Sequence, residues 1–194
     1  MSKRDPILTP ELIRILKIFL FSSFSLVLVF SFFNSYRADN TKKDRTFHVS
    51  DSNRLFFMNV RSIHYEREYR KDAEMTLFKH KKRYKSVQTP TLDPVLILNP
   101  KGEEAYIYFE LTKGDFPIQL VAISNSDSVV FNFAGGNNEE NLLFFKKLAP
   151  LWQEEYRYDL KIGDTHFKIW ADAKEREVLN TVAEDYFRLL NQTN

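Results

Sequence analysis

The stretch YRYDLKIGDTHFKIW, residues 156–170, predicts a β-hairpin, and the fold of the domain can be worked out from it. Apolar and charged residues alternate on both sides of Gly163-Asp164. Such a pair between two alternating runs is typical of a two-residue turn of type II′. This turn places Leu160 opposite Phe167 on one face of the hairpin. Because a slip of one residue would move every side chain to the other face, the register is well determined.

The same register makes four further pairings: Tyr158 with Ile169, Asp159 with Lys168, Arg157 with Trp170 and Lys161 with His166. We expect an ion pair from the second and a cation–π contact from the third. The fourth places a lysine beside a histidine, which disfavours a bound metal cation at that point.

Two more hairpins are predicted upstream. VLIL (95–98) and EAYIYFEL (104–111) flank a type I turn, with Pro100 at its second position and Gly102 at its fourth. IQLVAIS (118–124) and SVVFNF (128–133) flank a turn at residues 125–127. Both pairs predict antiparallel strands.

Residues 54–88 are ambiguous. As a strand, this segment would place five apolar residues on one face, although a helix also fits the pattern. The five are Leu55, Phe57, Ile63, Tyr65 and Tyr69.

Two helices follow from capping signals. Asn137 with Glu140 three residues later predicts one helix start, and Pro150 should kink or end that helix. Asp172 with Glu175 predicts a second start. The second helix carries a wide apolar stripe that must cover a sheet. Its two ridges are Val178, Val182, Tyr186 and Leu190, and Leu179, Ala183 and Phe187.

These elements together predict an α+β fold, in which an antiparallel sheet or meander packs against two helices near the C terminus. We assign this fold to residues 54–194, as one domain. Residues 1–9 are predicted to be a short tail, residues 10–36 a transmembrane anchor helix, and residues 37–53 a polar linker.

The anchor assignment rests on IFLFSSFSLVLVFSFF, residues 18–33, sixteen residues without a charge. Thr9-Pro10-Glu11 is a helix-start signal, so the predicted helix is long enough for a bilayer core of about 30 Å. Lys17 can extend its ammonium back to the lipid headgroups. Tyr36 and Arg37 mark the opposite interface.

Two alternatives to a permanent anchor are a cleaved signal peptide and a helix in a soluble core. The residues after Phe33 offer no small-x-small cleavage site, which favours the anchor. Basic residues nearly balance across the span, so they do not decide orientation. A short N-terminal tail inside and a large exported domain is the commoner arrangement. We therefore expect a bacterial inner-membrane protein with its C-terminal domain in the periplasm.

Composition narrows the function classes. The chain has no cysteine, so disulfides and thiolate metal sites are excluded, and an exported domain without them fits a bacterial periplasm. Twenty of the 28 basic and 22 of the 26 acidic side chains follow residue 45, which gives the domain a net charge of −2. This balance argues against nucleic acid as a partner.

The sequence carries no recognisable catalytic or metal motif. Gly135-Gly136 precedes a helix, but the acidic Glu139 and Glu140 that follow would repel a bound phosphate. His64 and Glu66 would share a strand face, yet a metal site normally needs three or four ligands. We therefore expect no catalytic activity, no metal and no cofactor.

One cluster of charge is unusual. FKHKKRYK, residues 78–85, holds five cations: Lys79, Lys81, Lys82, Arg83 and Lys85. For an exported domain we consider them a candidate contact for an acidic partner protein or for anionic lipid headgroups. The simpler interpretation is a solvated hairpin tip.

The leading functional hypothesis is a single-pass membrane-anchored accessory protein. It contacts the lipid bilayer through residues 10–36, and its domain docks on another envelope or membrane protein as a non-catalytic subunit. One alternative is an envelope hydrolase built from scattered residues, which would show a deep pocket with converging acids. Another is a domain that binds a lipid or small molecule in an aromatic-rich cavity.

Overall fold

The computed structural model describes residues 9–32, 46–125 and 127–192. The chain divides into two compact units, one ending at Lys43 and one beginning at Asp44. The predicted interface residues Tyr36 and Arg37, the tail before Thr9 and the linker before Thr46 lie outside the described residues.

Helix α1 spans Pro10–Phe32. It starts as predicted, since Thr9 Oγ1 accepts a hydrogen bond of 3.2 Å from the Leu12 N–H. Its segment Pro10–Phe30 is long and apolar enough to cross a membrane, and none of it is buried. A signal sequence near the N terminus would meet the same criterion of length and composition.

The folded unit includes part of the segment that the sequence predicts to be linker. The Ala105 N–H donates to the Phe47 carbonyl at 2.9 Å, and the Val49 N–H donates to the Glu103 carbonyl at 2.8 Å. Val49 is buried, so residues 47–49 pack along the start of the strand that contains Ala105. At least part of residues 37–53 therefore belongs to the folded unit.

The ambiguous segment is helical first and extended later. Helix α2 spans Asp51–Phe56, and Ser50 Oγ caps it by accepting the Asn53 N–H. A π-helical turn (Phe57–Arg61) and a 3₁₀ turn (Ser62–His64) follow. Of the two interpretations left open for this segment, the single strand face is wrong: Phe57 and Tyr65 are buried, whereas Leu55 and Ile63 are exposed.

The first sheet is a four-strand antiparallel meander. Its strands are β1 (Tyr65–Arg70), β2 (Met75–His80), β3 (Leu92–Asn99) and β4 (Glu104–Leu111). The turn between β3 and β4 lies where the sequence predicts it, and Asn99 Oδ1 accepts the Gly102 N–H at 3.1 Å.

The second sheet is also antiparallel, in the order β6-β5-β7-β8. Its strands are β5 (Ile118–Ile123), β6 (Ser128–Phe133), β7 (Arg157–Ile162) and β8 (Thr165–Ile169). The chain thus forms two sheets, and the hairpin at residues 156–170 joins the second by pairing β7 with β5.

The register predicted for that hairpin is confirmed. Leu160 pairs with Phe167, Tyr158 with Ile169, Asp159 with Lys168 and Lys161 with His166. The predicted contact of Arg157 with Trp170 is wrong, because pairing ends at Ile169 and Trp170 turns away with φ 53°. No ion pair within 4.0 Å joins Asp159 to Lys168 among the described contacts, so their pairing is one of register alone.

Both C-terminal helices start as predicted. Helix α3 spans Asn138–Leu148 and has a complete capping box between Asn137 and Glu140. It ends at Leu148, next to a 3₁₀ turn (Ala149–Gln153) that contains Pro150. Helix α4 spans Ala173–Leu189, with a second capping box from Asp172 and Glu175.

Aromatic packing joins the helices to both sheets. The ring of Phe145 lies 5.6 Å from that of Trp152 and 5.4 Å from that of Tyr186. On the side of the sheets, Phe144 packs 4.8 Å from Phe109 and 4.3 Å from Phe133. Edge-to-face and stacked ring pairs of this kind stabilise a core beyond the area they bury. Every residue predicted on the two ridges of α4 is buried in this core.

The register of the β7–β8 hairpin predicts how substitutions on its two faces should differ. Leu160→Asp places a charge on a fully buried position and should destabilise the protein by several kcal/mol. Lys161→Asp changes a partly exposed position on the other face and should cost under about 1 kcal/mol. Thermal unfolding of the full-length protein in mild detergent measures both. Equal losses would show that the faces are assigned wrongly.

Candidate functional site

A cavity of about 290 Å³ lies between the start of β3, the loop that precedes it, the end of β8 and helix α4. Most of its wall is apolar, and α4 contributes Val178, Leu179 and Val182. Cavities of about this size, with an apolar wall and a few polar groups, are typical of small-molecule sites.

The cavity exists because β2 and β3 separate. Their pairing stops at Phe78 and Leu96, short of the end of β2 and the start of β3. Pro94 lies opposite Phe109 on β4, and the Phe109 N–H points away from β3 to Asn141 Oδ1 at 3.2 Å. In a pair of this type the backbone nitrogen of Pro94 faces β2. Because proline has no N–H, it cannot donate the hydrogen bond that would continue the ladder there.

Trp170 closes the cavity from the side of the second sheet. Its indole N–H donates to the Leu92 carbonyl at 3.0 Å, and its ring packs 5.1 Å from Tyr158. A bulky residue at φ 53° is a rare backbone state and persists only where surrounding contacts hold it. Here the contact to Leu92 ties the end of β8 to the start of β3.

Asp93 is the buried acid of the cavity. It is 8% exposed, and its Oδ2 accepts a 2.9 Å hydrogen bond from Thr91 Oγ1. Burial raises the pKa of this carboxyl to about 6, since the apolar surroundings disfavour its charged form. Among the described residues no cation lies within ion-pair distance of Asp93, so the carboxylate has no counter-ion of its own.

His80 lines the same cavity and is also buried. Its Nδ1 accepts the Lys82 N–H at 3.3 Å, and its ring packs edge-on against Tyr65 at 5.2 Å. Burial lowers the pKa of this imidazole to about 4, so it is neutral at pH 7. With Nδ1 acting as acceptor, the ring hydrogen is on Nε2.

Of the remaining charged groups of the wall, Arg83, Asp172 and Glu175 have partners within the chain, and Lys168 is exposed. Arg83 is ion-paired with Glu66 at 2.8 Å and also donates to the His80 carbonyl at 3.0 Å. Asp172 and Glu175 form the capping box of α4. Lys168 is exposed at the rim. Asp93 is therefore the charged group of the wall that is both buried and without a charged partner.

The five cations of the sequence cluster do not form one unpaired surface. Lys79 lies 2.6 Å from Glu110, and Arg83 and Lys85 share Glu66 at 2.8 and 2.7 Å. These two cations, Lys85 first, hold the pKa of Glu66 at about 2. The mutual repulsion of the cluster is thus relieved within the chain.

Two members of the cluster have no carboxylate partner in the described structure. The Lys81 ammonium donates to the Ile63 carbonyl at 2.7 Å, and Lys82 is exposed. Val60 and Ile63 are exposed apolar residues of the adjoining turns. Docking through this cluster stays a prediction, and Lys81 and Lys82 are the cations left for it. Of the five cations, Arg83 is the one that lines the cavity.

The weak metal and phosphate signals lead to no site. Both carboxylate oxygens of Glu66 are held by Arg83 and Lys85, and His64 is exposed beside it. In the parts of the chain that the structure describes, no three potential ligands come together. At the start of α3, the Glu140 carboxylate accepts the Asn137 N–H, which fills the position a phosphate would take.

A second buried polar group lies near His80, on the far part of α4. Asp185 is 4% exposed and accepts hydrogen bonds from Arg61 Nε at 2.6 Å and from the Tyr65 hydroxyl at 2.7 Å. Burial and the Asp185 carboxylate raise the pKa of Tyr65 well above its usual range. This network joins the π-helical turn and β1 to helix α4.

The sequence held a signal for Asp93 that the strand assignment missed. The predicted strand starts at Val95, whereas β3 starts at Leu92. An acid followed by a proline inside a strand departs from an ordinary buried strand, because one brings a charge and the other removes a backbone donor. Asp93 and Pro94 lie close to Trp170 and α4 because of long-range packing, which no local sequence pattern shows.

Comparisons of this chain with protein-family models, with curated proteins and with solved structures find no match.

The two buried titratable groups should act on stability in opposite directions. The folded protein holds the Asp93 proton more tightly than the unfolded chain does. The contribution of Asp93 to the free energy of unfolding therefore falls as pH rises from about 4 to about 6. The folded protein holds a proton on His80 less tightly, so its contribution rises between about pH 4 and 6.5.

We expect Asp93→Asn to become more stable relative to wild type by a few kcal/mol as pH rises through this window, at roughly 1.4 kcal/mol per pKa unit. His80→Asn, which keeps an acceptor near the Lys82 N–H, should show the reverse trend. Thermal unfolding of the full-length variants at pH 4, 5, 6 and 7 measures both slopes. A stability difference that does not change with pH would contradict the assignment.

Proposed function

We propose that this chain is a single-pass, membrane-anchored, non-catalytic binding protein whose exported domain holds a small, largely apolar molecule. The observation that carries the proposal is the cavity of about 290 Å³ with an apolar wall beside Asp93 and His80. Docking on another envelope protein, through the face that carries Lys81 and Lys82, completes the proposal as an accessory role.

The polar groups of the cavity fit binding better than hydrolysis. Asp93 is buried beside an apolar wall, and its hydrogen-bond donor is the hydroxyl of Thr91. The other acids of the wall, Asp172 and Glu175, accept the hydrogen bonds of the helix cap, so neither is a free second carboxylate for hydrolysis. Few polar groups in an apolar wall fix the orientation of a ligand, which is the usual design of a binding pocket.

The anchor proposal predicts a specific protease pattern. Helix α1 meets the length and apolarity required for a span, and we assign the N terminus to the cytoplasm and residues 46–194 to the periplasm. Protease added to intact spheroplasts should degrade residues 46–194 while the anchor stays in the membrane fraction. Protection of the domain until detergent is added, or its release as a shorter soluble protein, would contradict this topology.

The binding proposal predicts that filling the cavity entrance abolishes binding. Ala171 lines the cavity and is exposed, so Ala171→Phe can narrow the entrance without disturbing the core. Ala173→Phe, also exposed and outside the cavity wall, is the matched control. The probe is 2-(4-fluorophenyl)ethanol, a neutral molecule with an apolar body.

Fluorine NMR of the probe, with the full-length protein in lipid nanodiscs, measures binding. Wild type and Ala173→Phe should bind alike, and Ala171→Phe should bind at least tenfold more weakly. Because Trp170 lines the cavity, its fluorescence gives an independent signal. Equal affinities of all three proteins, or no binding to any of them, would contradict the proposal.

A further inference from the structure

We infer that the ligand of this cavity carries a protonated amine on its apolar body, and that Asp93 is the counter-ion of that amine. The inference rests on the proposed binding function and names the chemical class of the ligand.

The first argument is the state of the Asp93 carboxylate. Its Oδ2 accepts one hydrogen bond, from Thr91, and within the described chain neither oxygen has a cationic partner. A carboxylate that is more than nine-tenths buried loses stability unless it is paired. An ammonium group in the cavity would supply the missing charge and hydrogen bonds.

The second argument is the effect of neighbouring charges on the Asp93 carboxyl. The charge of Arg83 favours a negative charge on this carboxyl, and the charges of Glu110 and Glu175 both disfavour it. Arg83 is already paired with Glu66, which takes up much of its charge. Glu110 is likewise paired with Lys79, so an added cation at Asp93 gains chiefly from the carboxylates of Asp93 and Glu175.

The third argument is the aromatic part of the wall. Trp170 and Tyr84 both line the cavity, and the face of an aromatic ring attracts a cation. Carboxylate and aromatic rings around one pocket are the combination that recognises organic ammonium ions. A carboxylate ligand would meet Asp93 itself, and Lys168 at the exposed rim is the wall cation without an ion-pair partner in the described structure.

The experiment compares three probes that share one fluorophenyl body: 2-(4-fluorophenyl)ethylamine, 2-(4-fluorophenyl)ethanol and 3-(4-fluorophenyl)propanoate. Their affinities for the full-length protein in nanodiscs of neutral lipid are measured by fluorine NMR at pH 7.5. Wild type should bind the amine at least tenfold more tightly than the alcohol, and the propanoate most weakly.

Two variants test whether Asp93 is the source of the preference for the amine over the alcohol. Asp93→Asn keeps the shape of the side chain and should abolish the preference for the amine, while affinity for the alcohol stays within about twofold. Asp172→Asn removes an equal charge from the rim and keeps a good helix cap, so it should retain the preference. Circular dichroism confirms that both variants fold.

Lowering the pH gives a second test on the unaltered chain. From pH 7.5 to 5 the amine should bind progressively less well, because Asp93 takes up a proton, while binding of the alcohol should not change. His80, the other buried titratable group of the wall, stays neutral over this range because burial lowers its pKa to about 4. The charged groups that act on Asp93 are Arg83, Glu110 and Glu175, with Lys168 and Asp172 at the rim.

The outcomes separate this inference from the proposed function. If alcohol and amine bind equally, or the propanoate binds best, the cavity binds ligands but the ligand class is wrong. If the amine preference survives Asp93→Asn or disappears in Asp172→Asn, Asp93 is not the counter-ion. If no probe binds, the proposed binding function fails together with the inference.

Discussion

The absence of one backbone N–H, at Pro94, governs how the first sheet meets the rest of the domain. Phe109 directs its own N–H to Asn141 on helix α3, which leaves the nitrogen of Pro94 facing β2. The β2–β3 ladder ends beyond Phe78 and the strands separate. Helix α4 and Trp170 cover the opening instead of a continued sheet, and the space between them is the cavity. A local rule of backbone chemistry thus contributes to the cavity on which the proposed binding function rests.

Charge in this domain is arranged within the chain more than the sequence suggests. Five cations close together would repel one another, but Glu66, Glu68 and Glu110 neutralise three of them across the first sheet. Such pairs at a surface add little stability, since water screens them. These pairs determine which cations stay available: Arg83 lies at the cavity wall, and Lys81 and Lys82 have no carboxylate partner among the described residues.

The parts of the fold that depend on neighbouring residues could be predicted from the sequence. The turn at Gly163-Asp164 and the capping boxes at Asn137 and Asp172 are local, and each lies where the pattern places it. The division into two sheets was not predictable, because it depends on β7 pairing with β5 across helix α3. For the same reason the sequence treats His80 and Asp93 as unrelated residues, although they line one cavity. Burial, which shifts the pKa of both, has no local signature.

The network around Asp185 has a mechanical consequence. Residues 46–64 connect the N-terminal helix to the first sheet along the chain, and Arg61 and Tyr65 fasten the end of this segment to α4. Pulling the two apart would leave a buried carboxylate without partners, which costs several kcal/mol. Val178, Leu179 and Val182 of that same helix form the cavity wall. A load that reaches the domain through its N-terminal segment therefore meets first the pairing of residues 47–49 with β4, and beyond it the Arg61–Asp185 pair passes the load to the helix that lines the cavity.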